Sequence, residues 1–142
     1  MELTKNNIID AVTKKIHEIF GDEYNIEVGD VKQGFETPCF FVKCIDSKEQ
    51  HYRGKRYKKD LNFNIIGFSA NELLKELYEM SDKLYELEYI RLDNGDLLRC
   101  INKNDRIEDN VLQFFFDIKC FVYKKSPEII EDDMEGVTVE IN

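Results

Sequence analysis

The side chains able to do chemistry are few, and their spacing does not gather them. Cysteines stand at Cys39, Cys44, Cys100 and Cys120. A metal or redox site would need them clustered, as in C-x-x-C, and no such pair occurs. Cys39 and Cys44 are five apart, so on one strand they point to opposite faces and cannot clamp one ion. In a reducing compartment they are expected to be small buried hydrophobes. His17 falls in a helical stretch and His51 in a basic segment. Each is alone, and a lone surface histidine is ordinarily solvated or locally hydrogen-bonded. There is no G-x-S-x-G, P-loop, G-x-G-x-x-G or H-E-x-x-H pattern. Glu131, Asp132 and Asp133 offer oxygen ligands but lack the EF-hand spacing, so a solvated acidic stretch is expected. The expectation is a non-enzymatic protein with no catalytic residues, no metal site and no cofactor.

One charged constellation stands out. Lys48, Arg53, Lys55, Arg56, Lys58 and Lys59 crowd a single hydrophilic segment in a chain of net charge −9. That net charge argues against a broad nucleic-acid surface, which works by displacing cations from phosphates. Phosphate contact, docking to an acidic protein surface, and a solvated loop whose lysines deter edge pairing all remain open. If one strand runs through the segment, Arg53, Lys55, Tyr57 and Lys59 share a face and Arg56 and Lys58 take the other. Charge on both faces fits a projecting arm better than a flat platform. Arg53, Lys55, Arg56, Lys58 and Lys59 are therefore the candidate contacts to a partner surface.

The elements that must position this arm follow from periodicity. Residues 31–68 read as a long β-hairpin. Its first run, Pro38-Cys39-Phe40-Phe41-Val42-Lys43-Cys44-Ile45, is apolar on both faces and suits a central or covered strand. Its second run alternates, with Leu61, Phe63 and Ile65 on one face and Asn62 and Asn64 on the other. Residues 4–20 form an amphipathic helix with Ile8, Ile9, Val12, Ile16, Ile19 and Phe20 as its stripe, Thr4 as cap and Gly21 as stop. Residues 24–28 alternate as a strand. Ser69 and Glu72 have capping-box spacing ahead of a second helix reaching about Glu88, with Leu73, Leu74, Leu77, Met80, Leu84 and Leu87 buried. Asn94-Gly95 predicts a type I′ hairpin between residues 89–92 and 97–101. Residues 102–110 read as a polar loop, and residues 111–123 as a long interior strand. The fold class is α+β: an antiparallel or mixed sheet, two helices packed on one face, and a long β-hairpin arm.

The chain has 142 residues, enough for one domain with its own core. The boundaries are a single domain over 1–125 and an acidic C-terminal tail over 126–142. The longest apolar runs are too short to span a bilayer. The amino terminus shows no signal-peptide hydrophobic region, so a cytoplasmic location is expected. Val137, Val139 and Ile141 alternate as a strand behind an acidic linker. A lone strand is unstable in water. That segment is expected to add to a sheet edge on assembly, to pair within its subunit, or to stay disordered.

The stretch Val31-Lys32-Gln33-Gly34-Phe35-Glu36-Thr37-Pro38-Cys39-Phe40-Phe41-Val42, followed by a basic segment and an alternating strand, resembles the phage tail terminators of Gram-positive phages and prophages. The resemblance runs over about residues 5–124. It implies a structural subunit that forms a homohexameric ring on the tail tube, stops its polymerisation and presents a surface to the head-neck proteins. Its implied partners are copies of itself, the tail tube protein, the head-neck connector protein and, as an optional contact, the sheath. The resemblance also implies no membrane partner and DNA that only passes through the lumen. The location implied is the tail or neck of a virion or a bacteriocin-like particle. Two other readings stay open: another neck or tail-completion protein of similar fold, and a small nucleic-acid-binding regulator.

Overall fold

Thr4 fixes where the first helix begins. In the computed structural model, which describes residues 3–123, Thr4 is extended and its hydroxyl accepts the Asn7 N–H at 3.2 Å. Asn7 Oδ1 accepts the Thr4 N–H in return, closing a capping box. Helix α1 then spans Lys5–Phe20 and stops at Gly21, whose φ of 87° lets its N–H turn back to His17 O. The expected stripe is the buried one, with Ile19 only partly covered.

The remaining elements are β1 (Asn25–Val28), β2 (Cys39–Arg53), β3 (Arg56–Phe68), α2 (Leu74–Leu84), β4 (Tyr89–Arg91), β5 (Leu97–Arg99), β6 (Ile101–Glu108) and β7 (Val111–Tyr123). Five strands make one sheet in the order β1-β2-β3-β7-β6. β1 runs parallel to β2, and the other neighbours are antiparallel. β4 and β5 form a separate ribbon. α1 and α2 share one core with Phe40, Val42, Leu61, Phe63, Ile65, Leu112, Phe114, Phe116 and Ile118, all on the same sheet face. This is the expected α+β class, with a mixed sheet. Gly67 shows how closely α2 approaches: a Cβ there would stand 3.0 Å from Met80 Cε and from a Phe40 ring carbon.

The apolar second face of β2 has a local cause. Phe41 is buried on the face away from the helices, under Phe35 of the preceding loop at 5.3 Å and beside Phe68 at 6.0 Å between ring centroids. A loop residue of the same chain supplies the cover.

Four local expectations are corrected. The Ser69/Glu72 capping box does not form: Glu72 takes a φ of 56°, and α2 starts after extended Leu73. The Glu76 carboxylate instead receives the Asn71 N–H and side-chain amide at 3.0 and 2.9 Å, which holds the turn. Leu73 and Leu74 are consequently exposed rather than core. Asn94-Gly95 is not a type I′ turn, since φ is positive at Gly95 but not at Asn94. Gly95 N–H bonds Leu92 O and Leu92 N–H bonds Asp96 O, the pattern of a three-residue hairpin loop closed by a left-handed glycine. The paired positive φ of a type I′ turn falls at Asp109 and Asn110, at 52° and 62°. Residues 102–110, expected as a loop, hold most of edge strand β6 and this tight turn into β7.

β6 has polar residues facing the helices because α2 and the turn that follows it supply polar partners. Asp105 accepts the Tyr85 hydroxyl at 2.6 Å and the Ser81 hydroxyl at 2.8 Å. Burial, reinforced by Asp105, pushes the Tyr85 hydroxyl up to about 12. Lys103 Nζ donates to the carbonyls of Tyr85 and Leu87 and to Glu88 at 2.7 Å. Asp105→Ala should strand both hydroxyls and cost about 1–3 kcal/mol in chemical denaturation. Asp105→Asn, which keeps an acceptor, should lose less.

Candidate assembly surface

The arm is built by β2 and β3, with β7 running beside them to its end. β2 and β3 continue as strands through the basic segment and turn at Gly54-Lys55, where φ is positive at Gly54 alone. Arg53 pairs with Arg56 across this turn, and Arg56 pairs with Tyr123 on the other side. The tip is thus a three-stranded projection rather than a free hairpin. Lys58 pairs with Phe121, and Tyr57 with Val122.

These registers fix the faces. Tyr57 and Lys59 lie on the helix side with Val122 and Cys120, while Arg56 and Lys58 lie on the opposite side with Tyr123 and Phe121. Arg53 is in register with Arg56, so it belongs with Arg56 and Lys58 and not with Tyr57. The expected face pattern fails at Arg53 and Lys55 because the chain reverses there and carries a bulge between His51 and Arg53. Arg53, Lys55 and Lys58 are exposed. Lys59 is placed differently: its side chain is only 14% exposed, and its ammonium sits 3.3 Å from Leu3 O and 3.6 Å from Glu49. It ties the arm to the start of the chain.

Arg56 is held by aromatic rings. Its guanidinium carbon is 4.1 Å from the Phe121 centroid and 5.3 Å from that of Tyr52, and these rings meet edge-on at 5.2 Å. Its Nε is buried with no hydrogen-bond partner among the described residues. Among those residues Arg53, Lys55, Arg56 and Lys58 have no ion pair, whereas Lys43 and Lys103 each have one at 2.6 and 2.7 Å. The Lys43 hydrogen bond holds the Asp30 carboxyl below the usual carboxylate range. Sequence reasoning missed Tyr52, Phe121 and Tyr123. Tyr52 adjoins the basic run, but only the β3–β7 register brings Phe121 and Tyr123 to it.

The chemical groups set aside by spacing are dispersed. His17 Nε2 pairs with Asp22 at 2.9 Å on the surface. His51 Nε2 lies 2.6 Å from Gly54 O and its ring 4.8 Å from that of Tyr57, a turn contact. No cluster able to hold a metal ion occurs among the described residues. No helix among them is long and apolar enough to cross a membrane. Cys39 and Cys44 do point to opposite faces, by the register of Cys39 with Phe68 and Cys44 with Phe63. Burial pushes the Cys39 thiol up to about 11 and that of Cys100 to about 12. At pH 8 each should be thiolate in roughly one molecule per thousand or fewer, so native alkylation read by peptide mass spectrometry should leave both unmodified. Val137, Val139 and Ile141 lie outside the described residues.

The described residues thus form an α+β subunit with a cationic, aromatic-lined arm. The family described as phage tail terminator protein matches residues 7–130, and the chain belongs to it. The protein is a structural, non-enzymatic component of the virion tail or neck that works among other tail proteins. Among solved structures, a chain from the virion of a native gene transfer agent particle aligns with a TM-score of 0.52 at 9% identity, over 84% of this chain and 93% of that one. At that identity the likeness concerns the fold alone. A second solved chain aligns with a TM-score of 0.47 at 10% identity, over 89% of this chain and 99% of that one. No curated protein matches in sequence.

Proposed function

We propose that this protein closes the tail tube of a phage, or of a phage-like particle, of Gram-positive hosts. Copies assemble in the host cytoplasm into a homohexameric ring on the tube end. The ring stops tube polymerisation and offers its far side to the head-neck connector, with the sheath as an added contact in contractile particles. DNA passes through the lumen without being bound. The domain over 1–125 builds the ring, and the acidic tail over 126–142 follows it. Val137, Val139 and Ile141 form a strand that adds to a sheet edge on assembly.

Family membership supports the tail role, and the arm carries the rest of the reading. Four cations without acidic partners in the described fold stand at the end of a three-stranded projection. Arg53 even faces Arg56 directly across the turn, a like-charge pairing that opposes folding. A cluster kept at such a cost fits an external acidic partner, here a neighbouring subunit or the tube. Arg53, Lys55, Arg56 and Lys58 make those contacts, and Lys59 anchors the arm behind them.

Light scattering on the purified protein, alone and with tube protein, tests the ring. A mass of six subunits, or a ring formed when tube ends are supplied, supports it. A monomer in both conditions that shifts DNA in a gel at physiological salt overturns it in favour of a nucleic-acid-binding regulator.

A further inference from the structure

Tyr123, the last described residue, is 75% exposed and pairs with Arg56 at the tip of the arm. The sequence beyond it reaches Glu128 after five residues and continues Ile129, Ile130, Glu131, Asp132, Asp133, Met134, Glu135. Five extended residues span at most about 18 Å, so Glu128 is held within that distance of Tyr123, and the acids after it are tethered to the tip by twelve residues at most. The tip offers Arg53, Lys55, Arg56 and Lys58 for carboxylates, and Tyr52, Phe121 and Tyr123, each over 40% exposed, for Ile129, Ile130 and Met134.

We propose that the tip of the arm is a docking surface for an acidic, partly apolar peptide, and that its occupant in the free subunit is the chain's own segment 128–135. Each exposed ion pair contributes little alone. Tethering changes the balance, because a short linker presents the segment at an effective concentration in the millimolar range. The aromatic rings add contacts that salt does not screen. The docked segment neutralises the tip until a competing acidic surface displaces it. This contact is internal to one subunit and is read on the free subunit, whether or not rings form.

The test is amide NMR on the full chain, comparing wild type with Glu131→Gln/Asp132→Asn/Asp133→Asn. These isosteric changes remove charge and leave side-chain volume the same. Docking predicts shift changes at residues 52–58 and 119–123 as well as at the substituted sites. Raising the salt should move the same arm amides in the same direction. In the reciprocal variant, Arg53→Gln/Lys58→Gln, amides of 128–135 should move. Changes confined to the substituted segment overturn the proposal. Arm shifts that fade on dilution also overturn it, since the occupant would then be a second copy.

Discussion

A subunit carrying Arg53→Glu, Lys55→Glu and Lys58→Glu is expected to keep its fold and lose its assembly. The three side chains are exposed and lack ion pairs among the described residues, so their loss removes no stabilising contact seen there. Exposed substitutions of this kind shift stability by about 0.5 kcal/mol or less each. Arg53→Glu further turns the Arg53–Arg56 cross-strand repulsion into an attraction. The melting temperature should therefore stay within a few degrees of wild type. Placing like charges against an acidic partner costs several kcal/mol, so association with the tube or with neighbouring subunits should weaken by tenfold or much more. The deficit should be largest at low salt, where Coulomb terms reach furthest. Sedimentation and thermal melting on the same samples separate the two effects. A variant that unfolds would show that the arm's charges hold the subunit together instead.

The largest loss of stability is expected from Phe63→Ala. Phe63 lies fully buried on central strand β3, stacked on Phe116 of β7 with centroids 5.2 Å apart and planes 14° from parallel. It pairs with Cys44 on one side and Phe116 on the other, so β2 and β7 both close on it. The surrounding sheet cannot collapse into the vacated space, and the cost should be about 3–5 kcal/mol. That is a large share of the about 5–15 kcal/mol typical of a single domain. A drop of roughly 10–20 °C in melting temperature is expected. Phe63→Leu should lose clearly less. Equal effects from both would mean that ring stacking, not filled volume, sets the stability here.

The parts of the fold legible in the sequence are those where burial imposes a period. The stripe of α1, the alternation of Leu61, Phe63 and Ile65, and the interior position of β7 follow from one apolar face meeting one core. β6 escaped because the two middle positions of its inward face, between Ile101 and Ile107, are polar. Lys103 and Asp105 are satisfied by Glu88, Ser81, Tyr85 and two carbonyls of the turn after α2, so the apolar alternation is broken at the middle of the strand. The turns escaped for a related reason. Asn94-Gly95 and Asp109-Asn110 both tolerate left-handed backbone, and loop length rather than residue type decides which takes two positive φ angles. Of the arm, the cations were visible as composition. Their faces were not, because a two-residue turn and a bulge reset the alternation. The Arg56 cage was invisible because Tyr52 and Phe121 are joined only through the sheet register.

A protein that ends tail-tube growth must set tube length, so tube length is the quantity to measure. Tube protein polymerised with and without this chain, and imaged by electron microscopy, gives the length distribution and shows what sits at the ends. Short tubes, each bearing one ring at one end, with lengths falling as more of the chain is added, are the predicted result. Tubes of unchanged length with bare ends would contradict it.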